Sequence, residues 1–230
     1  MAGLLVSVRS VEEARSALEG GASVIDVKEP DLGPLGRAGV AIWRAVRHVV
    51  PPSIAMSVAL GELRDWKSCP SPEDHDFAGI AFRKLGLAGA GRGWKSEWAA
   101  IRRDGAAGPP WVAVAYADWQ AAEAPEPTEV LSAAIEAPDC AGVLVDTWEK
   151  QGVSPLDGSP FWSGWIDRAH QARKFVALAG GLDREAILRL APLRPDLFAV
   201  RGSACVGGNR LGKIEAGRVA RLVRATHPDE

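Results

Sequence analysis

Short apolar runs alternate with longer stretches of helical spacing along the whole chain. The runs are residues 4–8, 23–28, 53–60, 79–85, 111–117, 141–147, 175–179 and 197–201. Each is nearly continuous in apolar or β-branched residues, as expected of parallel strands buried on both faces. The stretches between them carry helix signals. Ser10 stands as an N-cap with Glu13 at the third helical position, Ala14, Ala17 and Leu18 form an apolar stripe, and Gly20-Gly21 stops it. Residues 160–174 repeat this with Phe161, Trp165, Ile166 and Ala169 on one face. Asp183 caps a run through Ile187, Leu188 and Leu190, and residues 213–226 close the chain with Ile214, Val219, Leu222 and Val223 as the buried set. After the third run, Cys69-Pro70-Ser71-Pro72 interrupts the pattern, and residues 74–78 predict only a turn.

Eight strand–helix units in 230 residues, about 29 residues each, predict a compact (β/α)8 TIM barrel. A doubly wound open sheet competes, but it rarely needs eight such regular units, and no Gly-x-Gly-x-x-Gly follows the first strand. No linker divides the chain. The prolines at 125–127 and 155–160 read as punctuation within units, so residues 1–230 are expected to form a single domain.

Composition narrows the partners. There are 27 Lys+Arg against 29 Asp+Glu, a net charge of −2, which offers no basic footprint for nucleic acid. No apolar run approaches the roughly 18–20 residues that span a bilayer, so no membrane partner is expected. The first residues enter a strand-like run without a basic leader and cleavage site, which predicts a cytoplasmic protein. Cys69, Cys140 and Cys205 are too far apart for a Cys-x-x-Cys metal site and too few for a disulfide framework. His48, His75, His170 and His227 share no ligand spacing, so neither a metal nor another cofactor is expected. Trp43, Trp94, Trp98 and Trp165 fall on apolar helix positions and read as core.

In a (β/α)8 barrel the active site lies at the C-terminal ends of the strands. The second run ends Asp26-Val27-Lys28-Glu29-Pro30, and alternation puts Asp26 and Lys28 on one side. The fourth ends Phe82-Arg83-Lys84-Leu85-Gly86, the fifth Tyr116-Ala117-Asp118, and the sixth Asp146-Thr147 with Lys150 beyond. Alternate strands share interior layers, so strands two, four and six can converge Asp26, Lys28, Lys84 and Asp146. Unpaired buried charges cost several kcal/mol, so these groups must pair with one another.

Such a cluster suits amine catalysis. A lysine attacks a carbonyl only as the neutral amine, and desolvation or a neighbouring cation lowers its pKa. Carboxylates nearby can shuttle protons as the carbinolamine dehydrates. Gly180-Gly181 and Gly202-Ser203 end the seventh and eighth runs, where this fold recurrently binds phosphate through backbone N–H groups. A phosphorylated small molecule is therefore the expected substrate, with Asp118 as a further binding candidate. Arg201 reads equally as a cationic contact or an inter-strand ion pair, and Gly207-Gly208-Asn209-Arg210 as a loop over the site.

These same strand-end segments carry a family resemblance. Residues 26–36 (Asp-Val-Lys-Glu-Pro-Asp-Leu-Gly-Pro-Leu-Gly), Lys84-Leu85-Gly86-Leu87, Ala115-Tyr116-Ala117-Asp118 and residues 146–152 (Asp-Thr-Trp-Glu-Lys-Gln-Gly) resemble the (5-formylfuran-3-yl)methyl phosphate synthase family. Residues 177–182 and 200–205 continue the match in order, over nearly the whole chain. The resemblance implies a TIM barrel that joins two molecules of glyceraldehyde 3-phosphate into a furan aldehyde phosphate, for methanofuran-type one-carbon carriers. It implies Lys28 as the Schiff-base lysine, Lys84 as proton acceptor, and Asp26, Asp146 and Lys150 as supporting groups. A homo-oligomer is implied as well. Two departures stand out: Gly181 occupies a place where relatives often have Ser, and residues 70–72 are irregular for a third helix. From the residues themselves, another phosphate-binding Schiff-base aldolase or isomerase, or a non-catalytic binding barrel, remains open.

Overall fold

A computed structural model describes residues 2–68, 71–149, 156 and 160–227. Eight parallel strands, β1 (Gly3–Val8), β2 (Val24–Val27), β3 (Ala55–Glu62), β4 (Phe82–Gly86), β5 (Trp111–Tyr116), β6 (Cys140–Asp146), β7 (Phe175–Leu178) and β8 (Leu197–Val200), close into a barrel in chain order. β8 pairs with β1 from Gly3↔Leu197 to Val6↔Val200, which removes both sheet edges. Outside lie α1 (Val11–Glu19), α2 (Val40–Arg47), α3 (Trp94–Asp104), α4 (Pro127–Glu136), α5 (Pro160–Gln171), α6 (Arg184–Leu190) and α7 (Ala216–Ala225). The (β/α)8 class expected from the alternation is the observed one. Among the described residues no helix is long and apolar enough to cross a membrane.

Continuous apolarity of the strands has a simple cause: two separate apolar clusters take their two faces. Leu4, Val6, Val8, Ile25, Val27, Met56 and Val58 point outward to the helices, joined there by Trp43, Trp94, Trp98 and Trp165. Leu5, Val24, Ala59, Val112, Val114, Leu144, Ala177 and Ala199 fill the lumen. The alanines are the informative members. Small side chains high in the lumen leave room for a cavity that Leu or Ile would close.

Several local expectations shift. Ser10 caps α1, its hydroxyl accepting from Glu13 N at 3.2 Å. Glu13 does not turn back to the cap's own N–H; its carboxylate accepts from Arg9 N at 2.9 Å and meets Arg201. Among the described residues no α-helix follows β3, where two 3-10 turns, Leu63–Ser68 and Asp74–Phe77, stand instead. β3 also runs two residues past its expected end. Gly61 takes φ +89°, and the register with β4 shifts between Ala59 and Glu62, so Glu62 rejoins the ladder opposite Gly86. Bulges of this kind re-aim a side chain at a barrel rim. The last helix begins later than expected, at Ala216, because Ile214 is held in an antiparallel bridge with Cys205.

Candidate active site

Register places Ser7 beside Asp26 and Asp26 beside Ser57, all three directed into the barrel. Asp26 Oδ1 accepts from Ser57 Oγ at 2.8 Å and from Lys84 Nζ, and Oδ2 accepts from Ser7 Oγ at 3.1 Å. Lys84 Nζ also donates to Ser57 Oγ at 3.3 Å. Alternation explains the pairing: Lys84 turns inward, while its neighbour Arg83 turns outward to stack on Trp111, 4.1 Å from its ring centre. Burial works to raise the Asp26 pKa, but the charges of Lys84 and Lys28 and the hydrogen bonds from Lys84 and Ser57 outweigh it. The carboxyl is therefore held below the ordinary aspartate range, as an anion.

Lys28 leaves the end of β2 and donates from Nζ to the carbonyl of Pro34 at 3.1 Å. Asp146 closes β6, its Oδ1 accepting from Thr147 N at 2.8 Å. Asp26, Lys28, Lys84 and Asp146 all line a single cavity of about 360 Å³. The opposite wall is Gly180, Gly181, Gly202 and Ser203, with Gly208, Asn209 and Arg210 above. Gly180 has φ +105°, and a Cβ there would come within 2.7 Å of the Thr147 side chain, so the β7 loop approaches β6 closely only as glycine. Ser203 Oγ donates to the Leu182 carbonyl at 2.6 Å, which leaves its oxygen an acceptor and its backbone to meet a ligand.

Other candidates fall elsewhere. Asp118 is not part of the cavity lining: its two oxygens accept from Trp148 N at 2.7 Å and Glu149 N at 2.8 Å, pinning the loop after β6. Arg201, open between two roles in the sequence, lines the cavity as well, but its guanidinium is taken up by an ion pair, with Nη1 2.8 Å from Glu13 Oε2. Lys150 lies outside the described residues. Cys140 and Cys205 are free and buried, and burial pushes both thiols up. Among the described residues no group of three His, Cys, Asp or Glu side chains is placed to hold a metal ion.

Sequence reading missed Ser57 and Glu62. Ser57 sits in an apolar run, and only its alternation with Ala55 and Ala59 hints that it faces the lumen. Glu62 is buried at the rim, where Oε1 accepts from Tyr116 Oη at 2.7 Å and Oε2 from Ala88 N at 2.8 Å. Desolvation raises its pKa against those two hydrogen bonds, and the Tyr116 phenol is pushed well above its ordinary value by burial and by Glu62.

Comparison with known proteins places this geometry. Residues 4–223 match the family model for 4-HFC-P synthase. The (5-formylfuran-3-yl)methyl phosphate synthase of Methanocaldococcus jannaschii is 32% identical over 233 residues, spanning 95% of this chain and 97% of that one. The protein of the same name from Methanopyrus kandleri is 32% identical over 236 residues, spanning 96% of this chain and 98% of that one. Among solved structures, phosphoribosyl anthranilate isomerase from Thermotoga maritima superposes with TM-score 0.63 at 14% identity, over 99% of this chain and 100% of that one. The 3-hexulose-6-phosphate synthase of Salmonella typhimurium gives 0.62 at 15%, over 99% and 100%. Identities this low attest the barrel fold alone. From the match over residues 4–223, this chain belongs to the 4-HFC-P synthase family.

Proposed function

We propose that this protein is a cytoplasmic (5-formylfuran-3-yl)methyl phosphate synthase, which condenses two glyceraldehyde 3-phosphate molecules into the furan aldehyde phosphate for methanofuran-type carriers. The observation that carries the reading is the shared cavity, in which Lys28, Lys84, Asp26 and Asp146 face the glycine loops of β7 and β8. In this mechanism Lys28 adds as the free amine to the aldehyde of one triose, and water leaves to give the imine. Lys84, having passed its ammonium proton to Asp26, removes the adjacent proton as the free amine, forming an enamine whose carbon attacks the aldehyde of the second triose. Elimination of one phosphate, dehydration, ring closure and release from Lys28 follow, so the reaction is that of a phosphate-eliminating lyase with aldolase-like steps. Asp26, anionic and held by Lys84, takes and returns protons through that lysine. Gly180, Gly181, Gly202 and Ser203 hold a phosphate, Asp146 supports the opposite side, and Lys150 is a further supporting group. Asp118 acts at one remove, through the loop it pins.

The test is direct. Borohydride added with glyceraldehyde 3-phosphate locks an adduct on Lys28, and mass spectrometry of the products from this substrate alone finds the furan aldehyde phosphate. Label confined to another lysine overturns the Lys28 role, and absence of the furan product overturns the reaction.

A further inference from the structure

We propose that Arg210 is a positioning residue that holds Lys28 in place to form its adduct, coupling the β8 loop to the β2 loop. The inference rests on the reading of Lys28 as the covalent amine. Immediately after Lys28 the chain makes a hoop, residues 29–36, closed by Glu29 N donating to Gly36 O at 2.8 Å. Three carbonyls of that hoop turn to cations. Pro30 O and Gly33 O accept from Arg210 Nη2 at 2.9 and 3.0 Å, and Pro34 O accepts from Lys28 Nζ at 3.1 Å. The residue next to an Arg210 anchor is therefore the one that holds the amine.

Arg210 is itself firmly placed. Its carbonyl accepts from Arg201 Nε at 2.5 Å, and Arg201 is fixed by Glu13 and by the Ser7 carbonyl at 2.9 Å. A continuous chain of hydrogen bonds thus runs from α1 through Arg201 and the loop after β8 to the hoop that begins beside Lys28. Among the described residues, Arg210 Nε and Nη1 make no hydrogen bond, and the side chain lines the cavity. Sequence alone presented Arg210 as one residue of a glycine-rich loop. Both bonds leave one terminal nitrogen, Nη2, whose two hydrogens reach the two carbonyls from the end of a long side chain, a span that a smaller polar side chain does not cover.

Displacing a reacting group by about 1 Å costs up to about a hundredfold in rate. R210A is therefore expected to lower kcat, and the rate of borohydride trapping at Lys28, by at least about tenfold, with KM for glyceraldehyde 3-phosphate little changed. R210K, which keeps a donor for the carbonyls, recovers part of both rates. Should R210A fail to fold, R210Q is read by the same split. Unchanged trapping and kcat in the folded variant overturn the proposal. A raised KM with kcat and trapping intact also overturns it, because Arg210 would then be a contact of the substrate anion. Absence of label on Lys28 in the wild-type protein removes the functional reading and this proposal together, an outcome distinct from a label that R210A leaves undisturbed.

Discussion

Two ion pairs are sealed in the upper barrel to nearly the same degree, yet they are held in different ways. Side-chain exposure is 4% and 3% for Lys84 and Asp26, and 4% and 7% for Arg201 and Glu13. Burial cannot separate them, so the difference lies in what else each cation holds. Arg201 binds both oxygens of Glu13 and the carbonyls of Ser7, Arg210 and Gly212. A planar fork tied to three backbone positions cannot move without moving the chain. Both cations line the cavity, but among the described residues Lys84 holds only the side chains of Asp26 and Ser57. Hydroxyls and carboxylates reorient by side-chain rotation, which is what the proposed acid–base role of this pair requires. The lesson is that a buried charge pair reads as structural or chemical from its remaining partners.

Breaking each pair tests that contrast, and the largest effect belongs to Lys84. K84M is expected to reduce turnover by about 10²–10⁴-fold, the usual contribution of a positioned acid–base group, and also to cost stability, because it leaves the buried Asp26 carboxylate without its main counter-charge. E13Q should share the stability loss without the catalytic one. It strips the counter-charge from a buried guanidinium, which costs about 3–5 kcal/mol of stability by urea denaturation, and turnover per folded molecule falls far less than in K84M. A K84M protein that keeps its activity, or an E13Q protein that loses activity without losing stability, would sink the distinction.

A second comparison, Asp26 against Glu62, predicts opposite pH responses. The folded state holds Asp26 below its ordinary pKa, so its charged form stabilises the protein above about pH 4, and that stability is lost as pH falls through the depressed folded value. Glu62 is raised, chiefly by desolvation, so the folded state binds its proton more tightly than the unfolded chain does. Its contribution therefore declines as pH rises from the ordinary glutamate value through the raised one. Urea midpoints measured across acid pH should show D26N losing part of the wild-type acid sensitivity, and E62Q losing part of the decline on the other side. A pH profile identical to wild type in either variant contradicts the corresponding assignment.

How much of this was legible follows from the periodicities involved. Eight apolar runs at regular spacing specify strands buried on both faces, and closure is the arrangement that buries them all. Asp26, Lys84 and Asp146 were readable at the strand ends, because β2, β4 through Lys84 and β6 from Gly142 onward keep a regular alternation into those residues. Glu62 was not, since the bulge at Gly61 shifts the alternation, and a local φ of +89° is not visible in hydropathy. Arg201 was visible as a cationic contact or an inter-strand ion pair without a named partner, and Arg210 only as part of a glycine-rich loop. Their partners, Glu13 on α1 and the carbonyls of Pro30 and Gly33, are 188, 180 and 177 positions away in sequence. Long-range pairing of this kind follows from closure of the barrel, so it becomes readable only once the fold is known.

Asp118 provides the smallest test and the finest one. At the end of β5 it shares the strand-end position that brings Lys84 and Asp146 to the cavity, and sequence assigns it to substrate. Yet it faces the next loop, with both oxygens accepting from Trp148 and Glu149 N–H groups. A carboxylate so engaged is a poor phosphate ligand in any case, since two anions repel. D118A is therefore expected to cost about 1–3 kcal/mol of stability from the lost loop hydrogen bonds. Activity should fall through kcat, because the loop that follows Asp146 loosens while the glycine wall is untouched. D118N distinguishes the causes further: one amide oxygen still accepts, but the amide nitrogen turns a donor towards the other N–H, so its loss should fall between wild type and D118A. A D118A protein with unaltered stability and a KM raised about tenfold would return Asp118 to the substrate side of the site.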